Sequence, residues 1–195
     1  ALLWIETGGE SWLAAHSDAG EPLVDACYTY DCSVGGTINS FMRTQLSELV
    51  CKQLQARGTS AMRVGYQREF MPKMLADHVD RGVGGSVAWI DMDEVLQQMQ
   101  EVKDDDEIEL LRKAVQIDLA AYDAAQKVIA PGVNELEVLG AAQQAAHLAA
   151  GEKVFHDGDY QCGQLGGFAR DRRIEEGELY IIDAWVTYRG YWADL

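Results

Sequence analysis

Positive charge is scarce in this 195-residue chain: 16 lysines and arginines stand against 32 aspartates and glutamates, a formal net charge of −16. Such a field repels phosphate backbones, and no basic patch interrupts it, so nucleic acid is not an expected partner. Long apolar runs are missing too. No stretch approaches the roughly 18 uninterrupted apolar residues of a membrane span, and no basic-then-apolar signal segment opens the chain. Neither a membrane partner nor secretion is therefore expected, and the cytoplasm is the expected compartment. Cysteine is sparse. Cys27, Cys32, Cys51 and Cys162 form no CxxC pair, and Cys27 and Cys32 have no matching His or Cys cluster to complete a zinc site. All four read as free thiols. The chain also lacks internal repeats and low-complexity linkers.

What is present suffices for a core, since 48% of the residues are apolar. The chain opens without methionine in the apolar run ALLWIE and closes inside another. A domain rarely stops in the second arm of a hairpin, which would leave an unpaired edge, so a segment of a longer protein is expected. The first hundred residues alternate in character. ALLWI and SWLAA read as short strands, residues 37–58 as an amphipathic helix carrying Ile38, Phe41, Leu46, Leu49, Val50 and Leu54 on its apolar face, and AMRVGY (61–66) as a strand. MPKMLADHVDRG reads as a short helix, SVAWID (86–91) as a strand and MDEVLQQMQ as a helix. Strand and helix in alternation predict an α/β layer domain over residues 1–101.

From residue 102 the character changes. Asp104 with Glu107 three residues on fits a capping box, and three acids in the first turn suit the positive end of a helix. The run of acids here reads otherwise as a solvated helix start. Apolar residues recur at Ile108, Leu111, Val115, Leu119, Tyr122, Ala125 and Ile129, which predicts a long helix with that face buried, stopped by Pro131 and Gly132. A second helix follows, capped by Asn134 and Glu137, striped by Leu136, Leu139, Ala142 and Ala146, and ended by Gly151. From Phe155 the sequence is glycine-rich and then strand-like.

Residues 179–195, LYIIDAWVTYRGYWADL, set Asp183 and Asp194 in strand-like runs on either side of a turn at Tyr188, Arg189 and Gly190. If the two aspartates face each other across an antiparallel hairpin, Ala184 pairs with Ala193, Trp185 with Trp192 and Val186 with Tyr191 around a four-residue loop, 187–190. Asp183, Trp185, Trp192 and Asp194 then share one face; Ile182, Ala184, Val186, Tyr191, Ala193 and Leu195 share the other. Carboxylates so opposed have Cβ atoms roughly 5 Å apart and repel by up to about 1 kcal/mol. Either one keeps its proton or a cation sits between them, and two divalent ions bridged by carboxylates and a water would turn the repulsion into a binding site. On spacing alone, a register in which one aspartate meets solvent and nothing binds is equally open.

Three segments resemble one family. VKDDDEIELLRKAVQI (102–117), IAPGVNELEV (129–138) and RRIEEGELYIIDAWVTYRGYWADL (172–195) are similar, in order and spacing, to motifs of the creatinase/aminopeptidase P/prolidase family. The resemblance implies an α/β chain: a creatinase-like amino-terminal domain (1–101) followed by the first half (102–195) of a "pita-bread" catalytic domain, whose two similar halves enclose one metal site. It implies two divalent ions, manganese, cobalt, iron or zinc, with Asp183 chelating one and Asp194 bridging both. The remaining ligands, a histidine and two glutamates, are expected beyond Leu195. It further implies a metal-dependent hydrolase of Xaa-Pro aminopeptidase or Xaa-Pro dipeptidase type, acting on a peptide or small amide, homodimeric when complete and inactive as this segment alone.

Two departures stand out. The family's histidine seventeen residues before the first aspartate is Gly166 here, and its glycine two residues after that aspartate is Trp185. They leave open a catalytically inactive peptide- or protein-binding module, or a hydrolase of a small non-peptide amide. His156, read as a loop residue, is the candidate replacement for the histidine. Trp185 and Trp192 are candidates for the substrate wall. His16, His78 and His147 read as structural or solvent-exposed, and Asp157 and Asp159 lack the further oxygens of a calcium loop.

Overall fold

The computed structural model describes residues 2–16, 24–30, 42–58 and 62–195. These fall into two units, Ala1–Glu101 and Val102–Leu195. In the first, β1 (Leu2–Ile5) pairs antiparallel with β2 (Ser11–His16), and β2 pairs in parallel with β3 (Ala26–Tyr30). Strand β3 has no counterpart in the sequence reading, because ACYTY offers only five alternating residues. Helix α1 (Met42–Ala56) fills most of the helix expected over 37–58; Ile38 and Phe41 lie outside the described residues, as do Cys32 and the side chain of His16. A second sheet joins β4 (Met62–Tyr66) in parallel to β5 (Val87–Asp91), with α2 (Lys73–Gly82) between them in sequence and α3 (Asp93–Glu101) after. Trp12, Ala14, Val50, Leu54, Leu75, Val79 and Val83 make the core of this unit. Val50 and Leu54 lie four apart on one face of α1, and so do Leu75 and Val79 on α2, as an amphipathic helix requires.

The second unit is built from two long helices and an antiparallel sheet in the order β6-β7-β8. Its elements are α4 (Asp105–Val128), α5 (Glu135–Ala150), β6 (Phe155–Cys162), β7 (Tyr180–Tyr188) and β8 (Tyr191–Asp194). Both helices start as the capping pattern predicts. Glu107 accepts from Asp104 N at 2.8 Å, and Asn134 accepts from Leu136 N at 2.9 Å while Glu137 returns a bond to Asn134 N. Gly151 ends α5 in the left-handed conformation, φ 73°.

The buried face of α4 is the predicted one only in part: Ala125 is buried and Ile129 packs against the core as expected, but the middle of the stripe is turned outward. Ala114, Ile117, Asp118, Ala121 and Ala125 are buried, whereas Val115 and Leu119 are exposed. The difference lies in residue size. Alanines on α4 meet Val138, Ala142 and Ala146 of α5, and small side chains let two helix axes approach closely; the bulkier residues are left to the flank. On α5, likewise, Leu136 is exposed and Val138 takes its place in the core. The helices bury these faces against Tyr160, Cys162, Ala184, Val186 and Ala193, all on one side of the sheet. Among the described residues no helix is long and apolar enough to cross a membrane, and Cys27, Cys51 and Cys162 are free thiols.

Candidate metal centre

The hairpin turns more tightly than spacing suggests. Tyr188 pairs with Tyr191, Thr187 with Trp192, Val186 with Ala193 and Trp185 with Asp194, so only Arg189 and Gly190 form the loop. Both have positive φ, 49° and 90°, the combination whose twist matches the flanking strands. This register is shifted by two from the one in which Asp183 faces Asp194. Side chains alternate with period two, so a shift of two moves every partner but flips no face. Asp183, Trp185, Trp192 and Asp194 remain on one side, with Ala184, Val186 and Ala193 buried on the other.

The shift changes the neighbours of Asp183. Asp194 becomes its diagonal neighbour, and the carboxylate directly opposite is Asp159, on β6. Asp157 faces Trp185 in the same way. The open face of the sheet therefore carries Asp157 and Asp159 beside Asp183 and Asp194. Sequence reading weighed the first pair only as part of a calcium loop; the signal missed was the alternation of HDGDYQC, which marks a strand with both aspartates on one side. Partial desolvation, then the charges of Asp194 and Asp159 and a shared hydrogen bond with Asp194, hold the Asp183 carboxyl above its ordinary value. A divalent cation would relieve that repulsion, and two carboxylates suit a hard ion, so Asp183 and Asp194 fit a metal. Among the described residues no three His, Cys, Asp or Glu side chains are grouped to hold an ion.

The tryptophans sit beside the carboxylates. Trp185 meets Phe168 edge-on at 6.3 Å and Trp192 meets Phe155 at 6.2 Å. His156 does not join them. It is a β6 residue, not a loop residue; it points to the opposite side of the strand from Asp157 and is only 3% exposed. Its Nε2 lies 3.4 Å from buried Asp118 of α4 and 3.5 Å from the Tyr160 hydroxyl. A side chain held in the core behind the sheet cannot replace a histidine on its open face. His147 is structural, its Nδ1 accepting from Val154 N, and His78 accepts from an exposed neighbour, Arg81.

A buried ionic cluster fixes the loop between β6 and β7. Glu135, in the first turn of α5, is fully buried and accepts from Cys162 N and Sγ and from Arg170 N, Nε and Nη2 at 2.6–3.1 Å. Burial alone would raise its carboxyl; these five donors outweigh burial and hold it at about 2. Arg172 binds Glu178 through two bonds, at 2.8 and 2.6 Å, and holds that carboxyl at about 2 as well. Burial pushes the Cys162 thiol up to about 11. Backbone bonds from Gly132 to Ile174, Ile174 to Val133 and Glu135 to Arg172 tie the same loop to the link between the helices. The entry to β7, and with it Asp183, is thereby fixed against α5.

Residues 109–195 match Metallopeptidase family M24. The match lies wholly within the second unit. Over 108 residues, 53% of the chain, the protein is 32% identical to the Xaa-Pro dipeptidase of Pyrococcus horikoshii, of which the match spans 31%. Over 160 residues it is 23% identical to the putative dipeptidase YkvY of Bacillus subtilis, covering 76% of the chain and 42% of that protein. Among solved structures, the prolidase of Pyrococcus furiosus superposes with a TM-score of 0.69 over 96% of this chain and 52% of its own, at 21% identity. The X-Pro aminopeptidase of Thermotoga maritima gives 0.72 over 95% and 49%, also at 21%. These likenesses establish the mixed α/β fold of prolidases and X-Pro aminopeptidases. The chain spans about half the length of those structures and less of the curated relatives.

Proposed function

We propose that the complete protein is a metal-dependent hydrolase of Xaa-Pro dipeptidase or Xaa-Pro aminopeptidase type. The observation that carries this reading is the placing of Asp183 and Asp194 on one open sheet face inside the M24 match. Both would hold divalent metal, two ions of manganese, cobalt, iron or zinc in the complete protein. When bound, such ions lower the pKa of a coordinated water and polarise a carbonyl. The chain's own residues supply the frame: the hairpin fixes the two carboxylates, the Glu135 and Arg172 cluster fixes the entry to β7, and Trp185 and Trp192 border the face where an amide substrate would lie.

The full-length protein supplied with manganese should hydrolyse Xaa-Pro dipeptides or longer Xaa-Pro peptides. Asp183→Ala or Asp194→Ala should lower kcat/KM at least about a hundredfold and weaken metal binding measured by calorimetry. No turnover of any such peptide by a folded, metal-loaded protein would sink the peptidase reading. A second reading, hydrolysis of a small non-peptide amide, draws support from Gly166 and Trp185, which stand where the resemblance sets a histidine and a glycine. Turnover of small amides without turnover of Xaa-Pro peptides would select it. If the two alanine variants keep full stability and ligand binding with no activity to lose, the fold serves as a binding module instead.

A further inference from the structure

The core between α4 and the sheet holds a carboxylate. Asp118, midway along α4, is fully buried. His156 Nε2 lies 3.4 Å from its Oδ1 and 3.5 Å from the hydroxyl of buried Tyr160. Among the described residues neither Asp118 oxygen has a hydrogen-bond partner, nor does His156 Nδ1, and no lysine or arginine forms an ion pair with Asp118. The neighbouring elements do not neutralise it. On α5, Gln143 donates to His156 O, while the ionisable Glu135 and His147 are bound to Arg170 and to Val154 N. On β7, Val186 stands opposite His156, with Tyr180 and Tyr188 on the same side of the sheet. Burial pushes the Tyr160 and Tyr180 phenols above their ordinary value, so neither carries charge at neutral pH. Asp157 is on the open face.

A carboxylate taken out of water without donors is costly, and only His156 is placed to offset Asp118. Helix α4 also has an alternative. Its buried stripe of Ala114, Ile117 and Ala121 lies beside the stripe of Leu111, Val115 and Leu119, one residue or roughly 100° around the helix. Turned by that amount, α4 would bury the larger side chains and return Asp118 to water. Glu107, in the first turn of α4, accepts from the Tyr191 hydroxyl at 2.8 Å, so the setting of the helix bears on the hairpin. We propose that Asp118 and His156 form a one-proton lock, a pH-sensitive device that holds the alanine face of α4 against β6. With one proton between them the pair is neutral and stays buried; with two or none it leaves a charge in the core and frees the helix to turn.

Two measurements on the full-length protein test this. The first is urea unfolding between about pH 8 and about pH 5.5, above the range in which Glu135 changes, with each variant compared to native protein. His156→Phe leaves Asp118 without its partner, so the folded state takes up a proton more readily than the unfolded one and stability rises as pH falls. Asp118→Asn leaves an imidazole whose protonation puts an uncompensated cation in the core, so stability falls as pH falls. Relative to native protein, the folding constant should change by at least about threefold per pH unit, in opposite directions for the two variants. A native-like slope in either variant, or slopes of one sign in both, overturns the proposal. The second measurement adds Leu119→Lys. In native protein it should lower Tm by no more than about 2 °C, and in His156→Phe at about pH 8 by at least about 5 °C, because the leucine face has turned inward. Equal losses would show that α4 has not turned and overturn the lock. Should His156→Phe not fold, His156→Gln, which likewise cannot take the charge, replaces it in both measurements.

Discussion

Glu135 keeps its charge inside the protein because five donors converge on it, and that makes it sensitive to acid. Its folded-state value, about 2, lies below the 4.5 of an unperturbed glutamate. A depressed carboxyl contributes stability that is fully present above the unfolded value and is lost as pH falls toward the folded one. The contribution, on the order of 3 kcal/mol at neutral pH, should therefore disappear between about pH 5 and pH 2. Glu135→Gln should be less stable at pH 7 by about that amount and should lose less between pH 5 and pH 2, read from urea unfolding across that range. A variant with the native acid dependence would mean that the charge of Glu135 is not what the loop depends on. The same residue shows what sequence can tell: its place in a helix's first turn was legible, but its burial depends on Arg170, 35 residues away.

At the scale of elements, helix α4 separates pattern from packing. Its period was plain in the sequence, and its ends were set by Asp104 and the residues before Pro131. Which face turns inward was not, because both Leu111, Val115 and Leu119 and their neighbours Ala114, Ile117 and Ala121 follow helical spacing. The alanine face won since α5 presents alanines in return. Ile117→Ala should accordingly cost about 2–5 kcal/mol. Val115→Lys and Leu119→Lys, at exposed positions, should each stay within about 0.5 kcal/mol in denaturant unfolding of the same protein. The reverse order would restore the face read from the sequence. The hairpin teaches the companion lesson. A two-residue turn in place of a four-residue loop left every face intact but exchanged the partner of Asp183, because pleat parity survives a shift of two and register does not.

For the whole molecule, the number of donors sets the expectation. Residues 1–195 offer Asp183 and Asp194 on one face, and among the described residues no third ligand is grouped with them. The isolated segment should therefore bind manganese or zinc weakly, with no stoichiometric tight site in calorimetry, and should not hydrolyse Xaa-Pro peptides. Tight one-to-one binding would require a ligand set within these residues that the present arrangement does not provide. The chain spans about half of the solved prolidase and aminopeptidase structures it resembles.

The sequence by itself determined the caps and ends of the long helices, the alternation that puts Asp183, Trp185, Trp192 and Asp194 on one side, and the three motifs that lead to the M24 family. These follow from local rules, since periodicity, capping and turn chemistry act over a few residues. Tertiary structure decided which face of α4 is buried, that His156 belongs to the core beside Asp118, that Asp159 stands opposite Asp183, and that Gly166 lies against the Asp159 carboxylate. Each depends on where a distant segment lies, and no periodicity along the chain carries that distance.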